Sequence, residues 1–98
     1  MSDENLGNEE HQLLRQTLHA LLEDAGVLYP ARKVFLHQAH TSQRGYLLTA
    51  SSEAAPVLAA RLVELAGVKN SGPVWIILAS EAVQIVQAWR ALAQSKTR

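Results

Sequence analysis

The stretch that most constrains this chain is Val74-Trp75-Ile76-Ile77-Leu78-Ala79, entered from the polar turn Lys69-Asn70-Ser71-Gly72 through Pro73. It offers no polar face, the pattern of a strand covered on both sides. The expectation is that Pro73 to Ala79 is the central strand of the sheet. The run is also far shorter than the roughly 20 residues that cross a bilayer as a helix, so no membrane span or membrane partner is expected.

Upstream, Leu14, Leu18, Leu21, Leu22 and Ala25 recur at the three-and-four spacing that lines one helix face, within a segment from about Asn8 to Ala25. Gly26 supplies a stop, and Pro30 makes continuation past Tyr29 unfavourable. Residues 32–39 alternate, with Val34 and Leu36 on one side and Lys33, Phe35 and His37 on the other. Residues 44–50 carry Tyr46, Leu47 and Leu48, and the polar His40-Thr41-Ser42-Gln43 between the two reads as a hairpin loop. Helical spacing returns at Val57, Leu58, Leu62, Val63, Leu65 and Ala66, closed by Gly67, and again at Ala82, Ile85, Val86, Trp89, Leu92 and Ala93. Ser51, Ser52 and Ser80 stand where they can cap these two helices, and Ser95 to Arg98 should fray.

The expected fold is therefore α+β: a three-stranded mixed sheet packed with three helices, in the order α-β-β-α-β-α. At 98 residues, with 48% apolar and 18% charged residues, the chain has material for one hydrophobic core. Residues 8–98 are read as a single domain and residues 1–7 as a flexible acidic tail. That N-terminus, Met1-Ser2-Asp3-Glu4-Asn5-Leu6-Gly7, lacks the basic start and apolar continuation of an export signal. With no cysteine there is no disulfide framework, thiolate nucleophile or cysteine zinc site, and a reducing, cytoplasmic location is compatible.

Tyr46-Leu47-Leu48-Thr49-Ala50-Ser51-Ser52-Glu53 and Trp75-Ile76-Ile77-Leu78-Ala79-Ser80-Glu81 echo one another: strand, alanine, serine, glutamate, helix. Local capping chemistry produces such an echo without a true repeat. If the second and third strands run parallel, both serine-bearing junctions emerge at one edge of the sheet, where Ser51, Ser52 and Ser80 form a candidate anion site at helix N-termini. Glu53 and Glu81 already place negative charge there, and the glycine spacing of a nucleotide-binding loop is missing.

Formal net charge is zero, but Asp3, Glu4, Glu9 and Glu10 all precede the basic residues, leaving nine basic against five acidic groups, or +4, in the remainder. The hairpin gathers Arg32, Lys33 and Arg44 with Tyr46, a possible set of phosphate contacts and one stacking ring for RNA or DNA. No helix-turn-helix, RNP or GXXG signature accompanies them. His37 and His40 sit three residues apart, a spacing that sends strand side chains to opposite faces, and no acid lies between residues 25 and 52 to support a metal. A serine nucleophile would need a histidine and an acid within reach, and no G-x-S-x-G elbow is present. Trp75 and Trp89 fall within apolar patterns and read as core. No catalytic residue, metal or cofactor is expected. A small sheet must leave edges, and pairing them with a second copy, as in a homodimer, or with another protein makes a non-catalytic protein-protein interaction or adaptor module the leading reading.

Overall fold

In the computed structural model, which describes residues 2–40 and 44–96, the elements follow the expected order: α1 (Ser2–Asp24), a 3-10 turn (Pro30–Arg32), β1 (Val34–His40), β2 (Arg44–Ala50), α2 (Ala55–Ala66), β3 (Val74–Leu78) and α3 (Ala79–Lys96). The tip of the expected hairpin loop, Thr41 to Gln43, lies outside the described residues, as do Met1, Thr97 and Arg98. The α+β class is as expected, with three helices on a three-stranded sheet.

The apolar spacing of α1 has a direct structural counterpart, since Leu14, Leu18, Leu21 and Leu22 are all fully buried. The helix begins at Ser2, ahead of its apolar face, and closes at Gly26. There the Gly26 N–H donates to the Glu23 carbonyl and the Val27 N–H to the Leu22 carbonyl, at 3.0 and 2.9 Å. This double closure needs a left-handed residue, and Gly26 adopts φ 89° without the steric cost that a Cβ would bring.

The sheet differs from expectation in two linked ways. Its order is β1-β2-β3 and both pairings are antiparallel, so the sheet is not mixed and the centre is β2, not the Pro73–Ala79 strand. The cause is the connection. The 12-residue α2 reaches about 18 Å, and residues 67–73 are long enough to return beside it. This brings Pro73 next to the end of β2, where its carbonyl accepts the Ala50 N–H at 3.1 Å. β3 therefore starts where β2 ends and runs back along it.

The register places Leu36, Leu48 and Trp75 in one row, and Tyr46 opposite Ile77 in the next. With Val34 they form the covered face of the sheet, and each is less than 9% exposed. Helices α1 and α3 pack against this face and against each other, and α2 packs beside both. Leu58, Leu62, Ala82 and Ile85 complete the centre of the core, fully buried. Removing each large aliphatic side chain from water contributes about 2 kcal/mol, so this single layer of helix on sheet is the main source of stability. Trp75 is 1% exposed, as its apolar setting suggests, and its indole N–H has no partner among the described residues. It acts through ring volume, not through its polar end. Trp89 is partly buried against the same core.

Gly45 is the tightest point of the ladder. A Cβ there would lie 2.7 Å from the Ile77 carbonyl oxygen, a backbone atom that can move only with β3 itself. Gly45→Ala is expected to lower unfolding free energy by about 1–3 kcal/mol, the usual cost of overpacking. The check is the urea midpoint, and an unchanged midpoint would show that β3 is not held this close to β2.

Candidate interaction surface

Because side chains alternate along strands, covering one face of the sheet fixes what the other must carry. The opposite face holds Phe35, Thr49 and Val74 in one row, His37, Leu47 and Ile76 in the next, and Gly45 with Leu78 beyond. Phe35 is 51% exposed, Leu47 37%, Ile76 69% and Leu78 39%. No helix lies over these residues, and none of these described positions carries a charged side chain. The result is a largely apolar surface, with His37 and Thr49 among its rows, on the side of the sheet away from the helices.

The two sheet edges differ: β1 has one outward carbonyl occupied, and β3 is blocked at both of its ends. The Ser51 N–H donates to the Lys33 carbonyl, which sets the alternation of the ladder and turns the backbone groups of Leu36 away from β2. The Leu36 carbonyl is met there by the His11 Nε2, at 3.1 Å. On β3 the same alternation turns Val74, Ile76 and Leu78 outward. Val74 exchanges both backbone bonds with Ser71, and the Leu78 N–H donates to the Glu81 carboxylate at 2.9 Å. Only Ile76, between these two blocks, is left to offer an outward backbone pair along β3. Blocks of this kind are how sheet edges avoid unplanned pairing.

The residues singled out from sequence fall in separate places. Arg32 ends the 3-10 turn with its guanidinium 5.6 Å from the centre of the Tyr29 ring. Lys33 forms an ion pair with Glu53. Arg44 opens β2, with its side chain outside the described residues, as is that of His40. Tyr46 departs from the expected role of a stacking ring: it is 3% exposed on the covered face, and its hydroxyl donates to Glu10. Strand register, which decides the face a side chain takes, was not readable from the hairpin residues alone.

The serine junctions also lie apart. With β2 and β3 antiparallel, Ser51 and Ser52 follow one end of the sheet and Ser80 the other, so they do not share an edge. The Ser51 Oγ accepts the Ala54 N–H at 3.4 Å across a turn, and α2 begins only at Ala55. Ser80 is exposed inside the first turn of α3, because β3 passes into that helix without a break. Glu81, not Ser80, satisfies the free amide at this junction, by reaching back to Leu78 in the manner of a capping box.

Among the described residues no three His, Asp or Glu side chains gather as metal ligands, and no helix is long and apolar enough to cross a membrane. Two depressions lie on the helical side. One, about 350 Å³, runs between α1 and α3 over Leu13 and Val83, with Glu9, Glu10 and Arg90 among its lining residues. The other, about 370 Å³, lies between α1 and the 3-10 turn and is lined by His19, Glu23, Tyr29 and Arg32. Tyr29 holds a left-handed backbone, φ 56°, uncommon for a bulky residue, and its ring stands exposed at the rim. Comparison of the chain with protein-family models, with curated proteins and with solved structures finds no match.

Burial holds the His19 imidazole below its ordinary value of 6.5; the nearby Arg15 charge acts in the same direction and Glu23 against both. A lowered histidine value means that the unfolded chain takes up the proton first as pH falls. The contribution of His19 is thus fully present above about pH 6.5 and is lost as pH falls from there through the folded-state value. Denaturation midpoints of the wild type should fall more steeply between neutral pH and pH 5 than those of His19→Gln. Parallel profiles would show that this ring is not desolvated by the fold.

Proposed function

We propose that this chain is a non-catalytic protein-protein interaction module that docks a protein partner on the open face of its sheet. The observation that supports this reading is the exposure of Phe35, Leu47, Ile76 and Leu78 side by side, on the face opposite the helices. Large apolar side chains are normal on a surface when scattered, whereas the largest apolar patch of a small protein is often a functional one. On β3 the bonds at Val74 and Leu78 favour face docking over the strand pairing that sequence alone suggests. A cytoplasmic setting is part of the proposal, consistent with a chain that has no cysteine to form disulfides.

Nucleic-acid binding through the hairpin 32–46 is the competing reading. It would draw on Arg32, Lys33 and Arg44, the first set against Tyr29 and the second ion-paired, and it has no exposed ring from Tyr46.

A photoreactive residue at position 76, compared with one at the exposed Gln84 of α3, separates these readings. In native extract, position 76 should yield protein adducts that unlabelled chain competes away, and position 84 should not. Adducts confined to position 84 would overturn the reading. Binding to RNA or DNA that falls steeply with salt, and weakens further on Arg32→Ala and Lys33→Ala, would replace it with the nucleic-acid reading.

A further inference from the structure

Building on the docking reading above, we infer that the partner is a second copy of this chain, packed sheet against sheet through Phe35, Leu47, Ile76 and Leu78 about a two-fold axis. Three observations select a copy over a foreign protein.

The first is charge. Apart from the His37 imidazole, neutral in the formal count, none of the described positions on the face is acidic or basic, and the chain has a formal net charge of zero, so two copies do not repel at a distance. Lys33, at the Phe35 end of the sheet, is already neutralised by Glu53. A partner bearing charges would desolvate them against a surface that answers none of them.

The second is area. The four large side chains expose 51%, 37%, 69% and 39% of their surfaces, in the order Phe35, Leu47, Ile76, Leu78. That is about two whole side chains, on the order of 350 Å² on each copy by the usual size of such residues. Doubled by symmetry and extended by His37, Thr49 and Val74, the buried total approaches ~1,000 Å², below the range of stable interfaces and the size of weak, reversible ones. The expected product is a reversible dimer with a dissociation constant in the micromolar range.

The third is shape under symmetry. A two-fold axis running along the strands lays β1 of one copy over β3 of the other and β2 over β2. Leu47 then meets its own counterpart, the large Phe35 faces the smaller Val74, and His37 faces Ile76. Gly45 adds no side chain and leaves a hollow beside Leu47 for an incoming one. Twisted sheets pack face to face in this aligned fashion, at about −30° and about 10 Å apart. Each copy keeps its helices on the outside, so the contact closes after two chains.

The chain contains no cysteine, so introduced thiols can be joined without interference. Sedimentation of the purified full chain should show a monomer-to-dimer shift as concentration rises through the micromolar range. Ile76→Lys and Leu47→Lys, both at exposed positions that leave the core intact, should weaken the dimer at least tenfold, and Val83→Lys on the helical side should not. A short bismaleimide should link Leu47→Cys to itself, and should link a mixture of His37→Cys and Ile76→Cys as mixed pairs more efficiently than either variant alone. A strict monomer at all concentrations, or a dimer indifferent to Ile76→Lys and Leu47→Lys, would overturn the inference. Adducts of position 76 with a different protein, from a chain that stays monomeric, would overturn the two-fold dimer alone and leave the docking reading standing. Absence of both dimer and adducts would overturn both.

Discussion

Everything in this molecule depends on one row of side chains, Leu36, Leu48 and Trp75, held at the middle of the covered sheet face by two antiparallel ladders. A slip of one residue in either ladder would turn buried groups outward and exposed ones inward. The fully buried leucines of α1 and the buried Ala82 and Ile85 of α3 belong to the same core as that row. Gly45 reinforces the register from the other side, because no residue with a Cβ passes the Ile77 carbonyl at that distance. The helical layer, the strand order and the identity of the uncovered face are consequences of this packing.

The helices were legible in the sequence because each buries a stripe at helical spacing, and the first two stop at a glycine: Leu14 to Leu22 before Gly26, Leu58 to Leu65 before Gly67. The hairpin was legible from alternation, and Phe35 and His37 already stood together on its second side. The expectation of β3 as the strand covered on both sides failed for a physical reason. Its residues are apolar on both faces, but only Trp75 and Ile77 are buried, and Ile76 is the most exposed large apolar side chain of the sheet. A strand with an exposed apolar face and a doubly buried strand have the same letters. The distinction lies in how many layers the helices can supply, and three helices here stay on one side.

The remaining departures follow from the same geometry. A strand-helix-strand order suggests parallel strands, but a short helix with an extended return places β3 beside the end of β2 and reverses it. That reversal separates Ser51 and Ser52 from Ser80, which no local motif foretells. Tyr46 looked like a surface ring beside basic residues, and the ladder puts it inside, bonded to Glu10. Two positions that matter for the proposed docking, Ile76 and Leu78, lie in the run that hydrophobicity alone reads as covered on both sides.

The bonds from His11 to Leu36, from Ser71 to Val74 and from Glu81 to Leu78 carry a meaning beyond local satisfaction. An edge that pairs with another chain exposes a fresh edge on the far side, so growth by that route has no natural end. A face that is covered once is used up. With the β3 edge blocked at both ends, a dimer formed through the open face would hide its apolar side chains without presenting a further surface of the same kind.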